Sequence, residues 1–289
     1  GLKSNFLFIN MGNKTISGIP VPYFEEQSKQ YGLDDNSDSN HASFFDYDRD
    51  GDLDLFILNH KIGFKDSAKF RLKEQKDGSM KRIKTPETPF ESNRLYRNDG
   101  GRFTDVTAIA GLVSSAFGLS ATPVDIDRDG WLDIYVANDF IEPDNVYFNN
   151  RDGTFTDHFF DYFKHTSHFS MGTDATDFNN DGLVDIIVVD MKSGDHVRYK
   201  ELANPMQYDK YNLMVQYGYG RQPGRNMLQL NCGNNTFIDI GQFAGVSATD
   251  WSWTPLMADF NNDGWKDIYI TNGYRRDVTD LDYTNFFRD

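Results

Sequence analysis

Four short apolar runs punctuate the chain: Leu55-Phe56-Ile57-Leu58, Ile134-Tyr135-Val136-Ala137, Ile186-Ile187-Val188-Val189 and Ile268-Tyr269-Ile270-Thr271. Their shortness and β-branched, aromatic content predict strands. Each follows directly on a polar stretch, residues 46–54, 125–133, 177–185 and 259–267. A second unit recurs at 5–13, 93–105, 145–157 and 226–239, for example Asn145-Val146-Tyr147-Phe148-Asn149-Asn150-Arg151-Asp152-Gly153-Thr154-Phe155-Thr156-Asp157. It reads as strand, Asn/Asp/Gly turn, strand, a hairpin with Gly or Asn where positive φ is needed. Three of these lead into a connector ending in Gly and an apolar residue, Gly32-Leu33, Gly111-Leu112 and Gly245-Val246. One unit is therefore hairpin, connector, strand, polar loop, strand. Four strands per repeated unit predict an all-β fold, a β-propeller built from four-stranded blades. The units fall at about 1–60, 90–140, 141–190 and 224–275. Intervals of 79, 52 and 82 residues between loop starts leave room for insertions at about 60–88 and 191–225.

The polar stretches share one plan. Positions one, three, five and nine carry Asp or Asn, and position six is Gly. Hard cations such as Ca²⁺ take six to eight oxygens, and a tight loop turns alternate side chains toward one point. The candidate metal ligands are Asp46, Asp48, Asp50 and Asp54 in the first loop, with Asp52 at position seven offering its carbonyl. The second has Asp125, Asp127, Asp129 and Asp133, with Trp131 at position seven. The third has Asp177, Asn179, Asp181 and Asp185 with Leu183, and the fourth Asp259, Asn261, Asp263 and Asp267 with Trp265. Asn at position three leaves loops three and four one charge poorer than loop two, so weaker calcium binding is expected there. An EF-hand needs Glu at position twelve and a following helix. Here position twelve is Ile57, Val136, Val188 or Ile270. An isolated Asp/Asn/Gly loop is an ordinary turn; four with the same five positions point to up to four Ca²⁺ ions.

Composition changes the picture in three ways. A net charge of −15 argues against nucleic acid or an anionic membrane surface as partner, and fifteen of the 44 acidic residues sit in the four loops. Cys232 is the only cysteine, which excludes an internal disulfide framework and reads as a small apolar residue. Weak loop sites of ~10⁻⁴–10⁻³ M affinity suit calcium-rich compartments outside the cytosol, which predicts an exported protein. No apolar run is long enough to span a bilayer. The first insertion holds Lys61, Lys65, Lys69, Lys73, Lys76, Lys81 and Lys84, an exposed excursion, partly helical, or a docking surface. The second is rich in Tyr and Met, including Tyr199, Tyr208, Tyr211, Tyr217, Tyr219, Met206 and Met214, suiting either a binding surface or packing against the next blade.

The loops, each preceded by a hairpin of the Asn-x-Leu-Tyr-x-Asn-x-Gly-x-Phe type, resemble FG-GAP or VCBS repeats, the blades of integrin-α-type calcium-binding propellers. The stretch Ala248-Thr249-Asp250-Trp251-Ser252-Trp253-Thr254-Pro255-Leu256, through Asp259 to Asn272-Gly273-Tyr274-Arg275-Arg276-Asp277, is similar to bacterial VCBS-repeat proteins carrying ASPIC/UnbV domains and related to cartilage acidic protein. So is Asn226-Met227-Leu228-Gln229-Leu230-Asn231. The resemblance implies calcium at the loop positions named above. It also implies a lipid-anchored location at the Gram-negative cell surface, outer membrane or periplasm. Family propellers close with about seven blades, so the chain, opening at Gly1 inside a repeat, reads as a segment of a larger ring.

Two functions are in play. The first is a non-enzymatic scaffold that binds proteins of an outer-membrane complex, such as a transporter and its surface lipoproteins, or glycans. The second is a calcium-dependent polysaccharide lyase or hydrolase, for which Glu142, Asp144, Asp174 and Asp190 are the acidic candidates outside the loops. No Gly-x-Ser-x-Gly elbow, phosphate loop or His-Glu-x-x-His is present, and His165 and His168 lack acidic partners at fitting spacing.

Overall fold

The computed structural model describes residues 4–59, 69–86, 88–202, 207–274 and 280–286. Lys61, Lys65, Met206 and Arg275-Arg276-Asp277, named above, lie outside the described residues. The chain is mostly β, with 40% of the described residues in strands and 12% in helices. A first hairpin joins β1 (Phe8–Ile16) to β2 (Ile19–Glu26). Three four-stranded antiparallel sheets follow. The first holds β3 (Ser39–Phe45) and β4 (Asp54–Asn59). Between that pair and the closing pair stands a separate hairpin of β5 (Leu72–Glu74) and β6 (Met80–Arg82). The closing pair is β7 (Arg94–Asn98) and β8 (Phe103–Asp105). The second sheet runs β9 (Phe117–Val124), β10 (Asp133–Asp139), β11 (Asn145–Asn149), β12 (Phe155–Asp157). The third uses β13 (Gly172–Thr176), β14 (Asp185–Val189), β16 (Met227–Asn231) and β17 (Phe237–Asp239), while β15 (Met191–Lys192) leaves it to pair with β18 (Asp250–Ala258). The last strand, β19 (Asp267–Asn272), pairs with β18.

Sequence repeat and spatial sheet are out of phase by one hairpin. The hairpin that opens each repeat along the chain pairs with the strand that closes the preceding repeat: β7 joins β4, β11 joins β10, β16 joins β14. Periodicity fixes the content of a repeat but not where the sheet begins. An outgoing strand takes the opening strand of the next hairpin as its antiparallel neighbour, directly in the second sheet and across an insertion in the first and third. The first hairpin also differs from the pattern reading. Its turn lies at Ser17-Gly18, and the Asn10–Asn13 stretch, read as the turn, is a bulge within β1.

Each sheet's second strand is sandwiched. β4 and β14 are buried along their full length and β10 along all but its last residue, which is why the first three apolar runs show no polar alternation, whereas the fourth, in β19, is partly exposed. Between the first and second sheets lie Phe56, Leu58, Leu95, Ile134, Val136 and Tyr147. Between the second and third lie Tyr135, Val146, Phe163, Ile186, Val188 and Phe237. Leading strands of successive sheets also touch: Asn40 Nδ2 donates to the Gly118 carbonyl (2.7 Å), and Met257 N to Asp174 Oδ2 (2.6 Å). No described helix is long and apolar enough to cross a membrane.

The strand order sets two ends. Polar loops and hairpin turns share one end of each sheet; both insertions leave from the other, between second and third strands. The described part of the lysine-rich insertion is the β5–β6 hairpin, and the second insertion carries helices His196–Glu201 and Tyr208–Tyr217. The two dock on each other: Phe70 and Leu72 pack with Met214, Tyr217 and Tyr219 over Ile141. Arg82 reaches Glu142 at 3.3 Å in a nearly buried pair. Tyr219 and Met214 are packing residues, whereas Tyr208 is 80% exposed.

Phe56, with no exposed surface, bridges the first two sheets. Phe56→Ala should cost about 3–5 kcal/mol in denaturant unfolding. Ile109→Ala, at a residue 79% exposed, should stay within about 0.5 kcal/mol.

Candidate metal centre

All four polar loops fold alike. Position four takes a left-handed conformation, φ 61° at Arg49, 63° at Arg128, 61° at Asn180 and 60° at Asn262, and the position-six glycine follows with φ 85–97°. The chain so curled turns its N–H groups onto its own carboxylates. Gly51, Gly130, Gly182 and Gly264 each donate to Oδ2 of their loop's first Asp, at 2.8–3.1 Å. Position seven donates to position five in every copy, Asp52 to Asp50, Trp131 to Asp129, Leu183 to Asp181 and Trp265 to Asp263, at 2.7–3.0 Å.

The position-nine carboxylate is the most committed group. Asp54 Oδ2 accepts from Tyr47 N (3.0 Å) and Oδ1 from Asn98 N (2.8 Å). Asp133 repeats this with Ile126 and Asn149, both at 2.9 Å, and Asp185 with Phe178 (3.2 Å) and Asn231 (2.8 Å). Asp267 keeps the loop bond, from Phe260 N at 3.1 Å. Asp54, Asp133 and Asp185 thus tie the loop's start to the hairpin that completes the sheet. The hairpin Asn answers: the side-chain amides of Asn98, Asn149 and Asn231 donate to the carbonyls of Leu53, Leu132 and Val184. Their Oδ1 atoms cap the turn at Gly101, Arg151 and Gly233. This role of the hairpin Asn went unread in the sequence, although its fixed recurrence was the available signal.

Carboxylates converge in the first two loops. Ligand atoms of Asp46, Asp48 and Asp50 lie within 4.8 Å of one another, as do those of Asp125, Asp127 and Asp133. Asp46 Oδ1 and Asp52 Oδ1 are buried with no hydrogen-bond partner, a costly arrangement unless a cation is supplied. Asp129 is turned aside, its Oδ2 held by Arg151 Nε at 2.7 Å. Asp52 uses its side chain on Gly100 N. In loops three and four, the side-chain amides of Asn179 and Asn261 donate to Asp181 and Asp263, so repulsion is relieved within the loop. Among the described residues no third carboxylate grouping of this kind occurs. The donor set, all hard oxygens, suits Ca²⁺.

The sequence matches the FG-GAP-like repeat profile over residues 87–136, 125–188 and 214–270, together more than half of the chain. The chain belongs to the FG-GAP-like repeat family. FG-GAP repeats imply a β-propeller-like module and often bind calcium. Loops two, three and four lie inside the matched FG-GAP residues and loop one outside them. No curated protein matches the sequence. A solved Agrocybe aegerita lectin that recognises non-reducing terminal N-acetylglucosamine is similar at 16% identity and a TM-score of 0.41, over 92% of this chain. The chain spans 60% of that lectin's length.

The acidic residues outside the FG-GAP loops are held in the frame. Asp144, fully buried, accepts from Tyr135, Thr166 and Asn138 N. Asp190 accepts from Ser167, Phe169 N and Met191 N. Glu142 pairs with Arg82, and Asp174 braces Met257 N. His165 joins Arg225 on Asp239, and buried His168 meets Gln222. Cys232, read as an apolar residue, is exposed.

Burial, then the neighbouring loop carboxylates, push Asp54 and Asp185 up to about 6 and Asp133 to about 7, against the donated N–H bonds. The cation-free fold therefore holds protons that the unfolded chain releases near 3.8. That contribution is fully present below 3.8 and is lost as pH rises through 6–7. A bound cation removes the loss, so the melting-temperature gain on adding calcium should grow from pH 5 to pH 7. A gain flat with pH would contradict this. A mutant pair separates ligand from brace. Asp48→Ala should lower the melting temperature in calcium but not in excess chelator. Asp54→Ala, which strands the N–H groups of Tyr47 and Asn98, should cost about 1–3 kcal/mol under both conditions.

Proposed function

We propose that this chain is a calcium-stabilised segment of a larger, about seven-bladed β-propeller that acts as a non-enzymatic binding module. The observation that carries the reading is the unpartnered, buried Oδ1 of Asp46 inside a loop whose plan is repeated four times. In the loops, Asp46, Asp48, Asp50, Asp125, Asp127 and Asp133 would hold the cation, with the position-seven carbonyls beside them. Calcium there would supply the positive charge that these carboxylates lack. Its effect is on stability, since loops one, two and three, through their position-nine Asp, also hold the adjoining strands. One site at 100 times its dissociation constant adds about 2.7 kcal/mol.

The module's partners, in this reading, are proteins or glycans at the surface of an exported, lipid-anchored envelope protein of the VCBS–ASPIC/UnbV kind. The similarity of residues 248–277 to that group supports the setting. The scaffold role is favoured over polysaccharide cleavage because Glu142, Asp144, Asp174 and Asp190 are each engaged in holding backbone or a side chain.

Thermal melts with millimolar Ca²⁺ and with excess chelator test the reading. A rise of several degrees in calcium is expected, and its absence would reduce the loops to plain Asp/Gly turns.

A further inference from the structure

The loops sit at one end of the sheets, and the position-four residues of the first three loops reach toward the loop of the next sheet. Between loops one and two, the Arg49 guanidinium carbon lies 5.4 Å from the Trp131 ring and closes the gap. Between loops three and four, Asn180 Nδ2 donates to the Gly264 carbonyl at 2.9 Å. Between loops two and three, the equivalent Arg128 is exposed and makes no hydrogen bond, ion pair or ring contact among the described residues. Position seven explains the difference between the two arginines. Trp131 gives Arg49 a ring to cover, whereas Leu183, too short and not aromatic, gives Arg128 none.

What remains is a cleft of about 340 Å³ lined by Asp127, Arg128, Tyr162, Leu183, Asn234 and Asn235. Its size falls within the roughly 300–1,000 Å³ of small-molecule sites. The rim is unpaired polar chemistry. Arg128 offers its guanidinium donors, and the side chains of Asn234 and Asn235 offer an acceptor and two donors each. Left-handed backbone at both Asn residues (φ 50° and 58°) places them at the tip of the β16–β17 turn. Tyr162 brings a hydroxyl and a ring backed by Phe148 at 4.5 Å, so it is fixed before any ligand arrives. Leu183 and Phe237 add apolar surface. Asp127 belongs to the loop-two cation, whose charge offsets its own, so the rim is left with Arg128 and neutral amide and phenol side chains, a mixed set of donors and acceptors that suits hydroxyls. A compact neutral ring with hydroxyls on its edge and C–H groups on its face meets all of these groups.

We propose that this cleft binds one neutral pyranose residue of a glycan, with Arg128, Asn234 and Asn235 holding hydroxyls and Tyr162 lying against the ring. The proposal rests on the reading of the chain as a binding module and names the ligand class of one site within it. The calcium-loaded chain is to be titrated with methyl glycosides of glucose, galactose, mannose, N-acetylglucosamine and N-acetylgalactosamine, followed by calorimetry and ligand-observed NMR. At least one should bind with a stoichiometry of one. Arg128→Ala should weaken that binding about tenfold or more. Leu183→Trp, which gives loop three the residue found at position seven of loops two and four, should fill the cleft and abolish it. Arg128 is not a ligand of its loop, so the calcium-induced rise in melting temperature should be unchanged in Arg128→Ala. No glycoside binding by a calcium-stabilised protein overturns the proposal and leaves the calcium reading standing. Glycoside binding indifferent to both variants overturns it as well. Binding lost in both variants while calcium stabilises none of the proteins upholds the cleft and sinks the calcium reading alone.

Discussion

Everything at the loop end of this molecule hangs on a buried carboxylate at position nine. Asp54, Asp133 and Asp185 each accept one N–H from the opening of their own loop and one from the hairpin that follows in the chain. Burial makes such a charge costly, and two charge-assisted bonds offset only part of that cost. Remove the carboxylate and two N–H groups lose their acceptor, one in the loop and one in the sheet. The loop's shape and the sheet's third strand are therefore one cooperative feature.

From that constraint the rest follows. The loop, pinned at its end, is forced into left-handed backbone at positions four and six, which aims N–H groups inward and piles carboxylates together. Asp46 Oδ1 is left with nothing to accept from. The same curl throws the position-four side chain outward onto the neighbouring sheet's loop, so the loops contact one another as well as their own sheets. Whether a gap between sheets is sealed or open then depends on positions four and seven: Arg49 covers the Trp131 ring, Asn180 bonds the Gly264 carbonyl, and Arg128 faces only Leu183.

The opposite end obeys different physics. There, strands two and three of the first and third sheets are joined by long insertions, whose backbone needs a surface to settle on. They settle on each other, with Phe70, Leu72, Met214 and Tyr219 burying apolar surface over Ile141 and with Arg82 meeting Glu142. The described part of the lysine-rich excursion is thus a hairpin.

The sequence by itself determined the strands, the loop plan and the family, because these are local: Gly where left-handed backbone is needed, Asp or Asn at alternate positions, β-branched runs where both faces are covered. It named every acidic residue that the structure gathers in loops one and two. The phase of the sheets escaped it, since periodicity is blind to which neighbour a strand chooses. So did the turning aside of Asp129 toward Arg151, the bulge at Asn10–Asn13 in place of a turn, and the bracing role of Asn98, Asn149 and Asn231. Only the tertiary structure placed Arg128 opposite Leu183 rather than opposite a tryptophan, because that pairing joins residues of different sheets and is set by how the sheets stack.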